Sequence, residues 1–74
     1  MPLNTEIKRL RILKGLTHSA AAKALGVGTA TLERWERGTF YPKAPQLMAL
    51  AELFGVTETE LLHPKEDDEE NSVN

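Results

Sequence analysis

Apolar residues along this chain recur at helical spacing and are broken by glycines. No segment alternates polar with apolar positions, and neither Asn-Gly nor Asp-Gly occurs, so strand and hairpin signals are missing. Asn4 or Thr5 caps a first helix that runs to about Lys14, with Ile7 and Leu10 three apart on one face and Gly15 as its stop. Ile12 and Leu13 spoil that single face, which leaves one of them for the surface and for a partner. Thr17 is an N-cap for a second helix over 18–25, where four alanines favour helix and permit close packing. Gly26 follows at the position that needs positive φ. Only Val27 and Gly28 separate this helix from a third, about 29–37, ended by Gly38. Pro42 and Pro45 bracket the start of a fourth helix, in which Leu47, Leu50, Ala51 and Phe54 form an i, i+3, i+4, i+7 stripe closed by Gly55. Thr57 and Glu60 have capping-box spacing for a fifth helix of one to two turns carrying Leu61 and Leu62. The fold class predicted is all-α, a compact five-helix domain over residues 1–63. Its expected core is Leu10, Leu16, Ala22, Leu25, Val27, Leu32, Trp35, Leu47, Leu50 and Phe54.

The third helix carries the most information, because at about 100° per residue its faces separate. Thr29, Ala30, Glu33, Arg34 and Arg37 fall on one side; Thr31, Leu32 and Trp35 fall opposite, with Glu36 at the border. Trp35 is the anchor. A helix held by one apolar stripe, reached through a tight glycine turn and offering an open face of Thr, Ala, Glu and Arg, is suited to presenting that face to a groove. The major groove of B-DNA, about 12 Å wide, accepts one helix, and Arg on it can pair in bidentate fashion with a guanine edge.

Charge first argues against such a partner, since the 74-residue chain has a net charge of −2. Its distribution reverses that conclusion. Residues 63–74 hold one Lys and five acids, whereas residues 5–43 hold eight Lys or Arg against three Glu. Residues 64–74 therefore read as a disordered acidic tail, and the preceding segment as a moderate basic patch. A chain this short buries only about 60% of its unfolded surface, which leaves little room for an enclosed active site. Ser19 lies beside His18, but adjacent helical residues do not face each other and no acid is placed to orient the imidazole, so an enzyme is not expected. With no Cys, and with His18 and His63 far apart, neither a metal nor another cofactor is expected. No apolar run approaches the ~18 residues of a membrane span, and no leader pattern precedes the first helix; the expected compartment is the cytoplasm, with no membrane partner.

Residues 7–62 resemble the lambda-repressor-like (Cro and phage-repressor, XRE-type) helix-turn-helix domains. The resemblance rests on RILKGLT at 11–17, AKALGV at 22–27, TLERWERG at 31–38, Pro42 followed by LMALAELFGVT at 47–57, and the Leu61-Leu62 pair. It implies a bacterial or phage-encoded regulator of transcription, a repressor more often than an activator. Helices two and three would form the DNA-binding unit, and a homodimer would read the half-sites of a palindromic operator. It further implies an ion pair between Arg11 and Glu36, which both flank the apolar seam. Thr29, Ala30, Glu33 and Arg34 become candidate base contacts, and Thr17, His18, Arg37, Tyr41 and Lys43 candidate phosphate contacts. For Glu33 three roles stay open: accepting from cytosine N4, repelling wrong sequences, or pairing with Arg37 at i+4.

The chain departs from the family pattern at several of these places. His18 stands where Gln usually touches the DNA backbone, and Ala21 where a large aliphatic is usual, with Trp35 expected to fill the space. Gly28 and Thr29 replace a Ser cap and a long polar residue, and Lys43 replaces a Ser or Asp cap. Lys8, Arg9, Lys14 and Lys23 are expected as solvated charges adding to the field. The rival reading is a protein-interaction module of the same fold (an antitoxin, coactivator or adaptor) that docks a protein partner through Ile12, Leu13 and the fifth helix.

Overall fold

Local signals set the helix boundaries in the computed structural model, which describes residues 2–64. The Thr17 hydroxyl accepts from the Ala20 N–H at 3.0 Å and starts α2, His18–Leu25. At the far end Gly26 has φ 74°, a left-handed conformation that costs a residue with a Cβ roughly 1–2 kcal/mol, and this lets the chain turn at once into α3, Thr29–Arg37. Before α4, Ala44–Phe54, the Lys43 side chain has no acceptor atom; the Gln46 side chain closes the turn instead, its Oε1 accepting from the Lys43 N–H at 2.8 Å. Thr57 and Glu60 exchange both hydrogen bonds of a capping box, at 3.0 and 2.9 Å, and start α5, Glu58–Leu62.

The first helix differs from expectation. α1 spans Leu3–Leu13 with Pro2 at the cap position and no side-chain cap. Asn4 and Thr5 lie inside its first turns, and the Asn4 amide instead donates to the Glu36 carbonyl at 3.2 Å, bracing the end of α3.

The five helices make an all-α domain, with no strand among the described residues. α1 packs on α3, α4 and α5, and α2 packs on α3 and α4, so α3 is held from two sides. No helix among the described residues is long and apolar enough to cross a membrane.

Of the expected core, Ala22, Leu32, Trp35, Leu50 and Phe54 are buried, whereas Leu10, Leu16, Leu25, Val27 and Leu47 are only partly buried and pack around them. The centre is shared with Leu3, Ile7, Ala21, Ala51 and Leu61, which the expected list omitted. A domain of this size can enclose few positions completely, so the neighbours of the innermost layer necessarily form a half-buried rim. Ala21 and Trp35 are buried in one cluster. Ile12 and Leu13 are both exposed, at 57% and 68%.

Candidate nucleic-acid interface

On α3 burial follows the predicted faces. Leu32 and Trp35 are 0% and 3% exposed, while Thr29, Ala30, Glu33, Arg34 and Arg37 all lie in solvent. Gly28 provides no side-chain cap, so no capping side chain takes up the first N–H groups of α3. Glu33 and Arg37 form no ion pair with each other among the described residues.

The orientation of α3 is fixed at Glu36, whose carboxylate is 5% exposed. Arg11 Nε donates to Oε2 at 2.7 Å and Arg11 Nη2 to Oε1 at 3.3 Å, while Nη1 donates to the Leu16 carbonyl at 2.8 Å. His18 Nε2 reaches Oε1 at 3.0 Å. One carboxylate thus connects α3 to α1 and to the start of α2, and no buried side-chain polar atom among the described residues lacks a partner.

This contact corrects the expectation that no acid is placed to orient the His18 imidazole, since Glu36 comes within reach only when α3 packs beside the start of α2. A carboxylate only accepts, so Nε2 must donate, and a neutral imidazole then has an acceptor alone at Nδ1. The ring is half-buried in an open groove of about 360 Å³ lined also by Lys8, Glu33, Glu36 and Arg37. Thr17 keeps its hydroxyl hydrogen, since capping uses only its oxygen as acceptor.

Among the field charges, Arg9 is not simply solvated. Its Nε and Nη2 donate to Glu6 Oε1 and Oε2 at 2.9 and 2.7 Å, and Glu6 is only 3% exposed. A carboxylate so far from solvent requires a partner, and Arg9 is one turn away. Lys8, Lys14 and Lys23 are exposed.

Past α3, Gly38 at φ 83° turns the chain back over the last helical turn. The Thr39 N–H and hydroxyl both bond the Arg34 carbonyl, at 3.0 and 3.2 Å. The Arg34 guanidinium then lies 5.2 Å from the centroid of the Phe40 ring. Sequence reasoning missed Phe40 because the contact exists only after the glycine reversal. Phe40, Tyr41 and Lys43 are exposed, whereas Pro42 is buried and anchors the loop.

A domain in which a glycine turn joins α2 to an α3 with one buried and one open face is a helix-turn-helix domain. The helix-turn-helix family matches residues 7–61. The chain is 36% identical over 59 residues to the uncharacterized HTH-type transcriptional regulator YazB of Bacillus subtilis (strain 168), covering 80% of this chain and 86% of the relative. It is 33% identical over 63 residues to the cryptic phage CTXphi transcriptional repressor RstR of Vibrio cholerae, covering 85% of this chain but spanning only 57% of the relative's length. The P22 c2 repressor, solved in complex with a synthetic operator, superposes with a TM-score of 0.81 at 24% identity over 85% of this chain and 96% of that one. The chain belongs to the lambda-repressor-like, XRE-type helix-turn-helix DNA-binding family.

Proposed function

We propose that the protein is a sequence-specific double-stranded DNA-binding transcriptional regulator, a repressor, which lays α3 in the major groove and binds a palindromic operator as a homodimer. The observation that carries this reading is the division of α3 into a buried Leu32–Trp35 side and a solvent-facing side of Thr29, Ala30, Glu33, Arg34 and Arg37. A helix fixed on one side and free on the other can enter a groove without rearranging the core. RstR is a transcriptional repressor and the P22 c2 repressor was solved on operator DNA, which supports the same class of partner for this chain.

In this reading Thr29 and Ala30 offer methyl groups to thymine, Arg34 reads guanine, and Glu33 accepts from cytosine or excludes other bases. Thr17, Arg37, Tyr41 and Lys43 bind phosphates around that face. His18, tied to Glu36 by its ring, contributes to a phosphate mainly through the main-chain N–H at the start of α2. The domain over residues 1–63 is the reader, acting in the cytoplasm of a bacterium on chromosomal or phage DNA. Selection of bound duplexes from a random pool tests the reading. A two-fold symmetric site with half-sites about 34–36 Å apart is expected; an unstructured pool after selection would refute it.

A protein-docking role is favoured by the exposed Ile12 and Leu13 at the end of α1. Salt separates the two readings: duplex affinity set by phosphate contacts falls steeply between about 50 and 200 mM salt through counterion release. Absence of duplex binding even at low salt would favour docking.

A further inference from the structure

Among the described residues Arg34 has an aromatic partner and no acidic one. Its guanidinium lies 5.2 Å from the Phe40 centroid, within the roughly 6 Å over which the ring face attracts a cation. Among the described residues no ion pair involves Arg34, in contrast to Arg9 and Arg11, whose donors are spent on Glu6 and Glu36. The difference has a chemical consequence. A carboxylate partner occupies the N–H groups of a guanidinium, whereas a ring face attracts the cation through its quadrupole and leaves the planar fork of five donors available.

The backbone that carries the ring is held in place. The Phe40 and Thr39 N–H groups both reach the Arg34 carbonyl, at 3.4 and 3.0 Å, so the shelf is tied to the residue it supports. Phe40 also borders a small recess with Leu3, Trp35 and Pro42, and the residue is 55% exposed. The core does not account for that exposure, since Phe40 lies outside the buried cluster.

We propose that Phe40 is a positioning residue for specificity, an aromatic shelf that pre-orders Arg34 for reading a base edge while leaving its hydrogen-bond donors unspent. This rests on the reading of Arg34 as a base contact. Ordering the long side chain before binding reduces the rotamer entropy lost on docking, and the gain is specific to the base pair that Arg34 reads.

The experiment measures the affinity ratio between the selected duplex and one changed only at the base pair whose preference Arg34→Ala erases. The full chain and its Phe40→Leu, Phe40→Ala and Phe40→Tyr variants are compared, with thermal melting of each to establish folding. Phe40→Leu, which keeps apolar bulk without a ring, is expected to lower the ratio about two- to fivefold, the size of a cation–π contact at an exposed site. Phe40→Ala should match it, and Phe40→Tyr should retain the parent ratio. A parent-like ratio in folded Phe40→Leu overturns the proposal, as does a loss of affinity shared equally by all duplexes, or a Phe40→Tyr variant as impaired as Phe40→Leu. If Arg34→Ala itself erases no base preference, the parent reading of Arg34 fails instead, so the two failures are distinguishable.

Discussion

Glu36 on α3 holds Arg11 of α1 and His18 of α2 together, with Oε2 2.7 Å from Arg11 Nε and Oε1 3.0 Å from His18 Nε2. The helix that presents Arg34 outward is therefore oriented from its opposite edge by a single carboxylate. Apolar packing of Leu32 and Trp35 fixes the depth of α3, and the polar cluster fixes its rotation.

Removing that carboxylate leaves a guanidinium that is 9% exposed without its partner. Glu36→Ala should cost about 3–5 kcal/mol, the range for breaking a buried pair from one side. Urea unfolding measures it. The double variant Arg11→Met with Glu36→Leu should be less destabilised than Glu36→Ala, because it leaves no buried charge behind.

His18→Ala should cost only about 0.5–1.5 kcal/mol, since it deletes one hydrogen bond from a side chain that is 37% exposed. A cost equal to that of Glu36→Ala in the same urea series would mean that His18, not Arg11, is the principal partner.

At Gly26 an added Cβ would meet nothing within 4 Å, so the cost of Gly26→Ala isolates backbone conformation. The expected loss is about 1–2 kcal/mol. Gly38→Ala should cost a similar amount, because φ there is 83° and its Cβ would meet the Asn4 side chain only at an ordinary contact distance of 3.4 Å. Thermal melting of both variants checks the size of the loss.

The local signals were the legible ones. Thr17, Gly26 and the Thr57–Glu60 pair act within three or four residues of themselves, and their hydrogen bonds lie where spacing placed them. Long-range partners were not legible from spacing; of those, only Arg11 with Glu36 was implied, by the family resemblance, and the pair lies at 2.7 Å. Asn4 reads as a cap until Glu36, thirty-two positions away, offers its carbonyl. No acid reads as placed to orient the His18 imidazole until the same residue accepts from its ring. Glu6 counts as one more surface acid until its burial beside Arg9 is known. Periodicity gave the inward faces but could not divide centre from rim, because that depends on which helices cross over Ile7 and Leu61.

Phosphate and base contacts should separate in mutant affinities. Arg34→Ala should reduce discrimination at one base pair by about 1–3 kcal/mol, whereas Lys43→Ala should weaken binding to all duplexes alike and lower the salt slope by about 1. Titrations against matched and mismatched duplexes at several salt concentrations distinguish the two effects.

Residues 65–74, expected as a disordered acidic tail, lie outside the described residues; they hold one Lys and five acids. Carrying that charge, they should compete with phosphate for the basic face. Their deletion should raise affinity for non-specific duplex at low salt, with the gain shrinking as salt is added. Equal affinities with and without these residues would limit their part to solubility.

Methylation interference on the selected operator tests most directly whether the open face of α3 enters the major groove. A methyl group on guanine N7 occupies the edge that Arg34 would read. Binding should be blocked by N7-methylguanine at symmetric positions in both half-sites, and Arg34→Ala should lose sensitivity at one of them. Binding that tolerates N7 methylation throughout the site would contradict insertion of α3 into that groove.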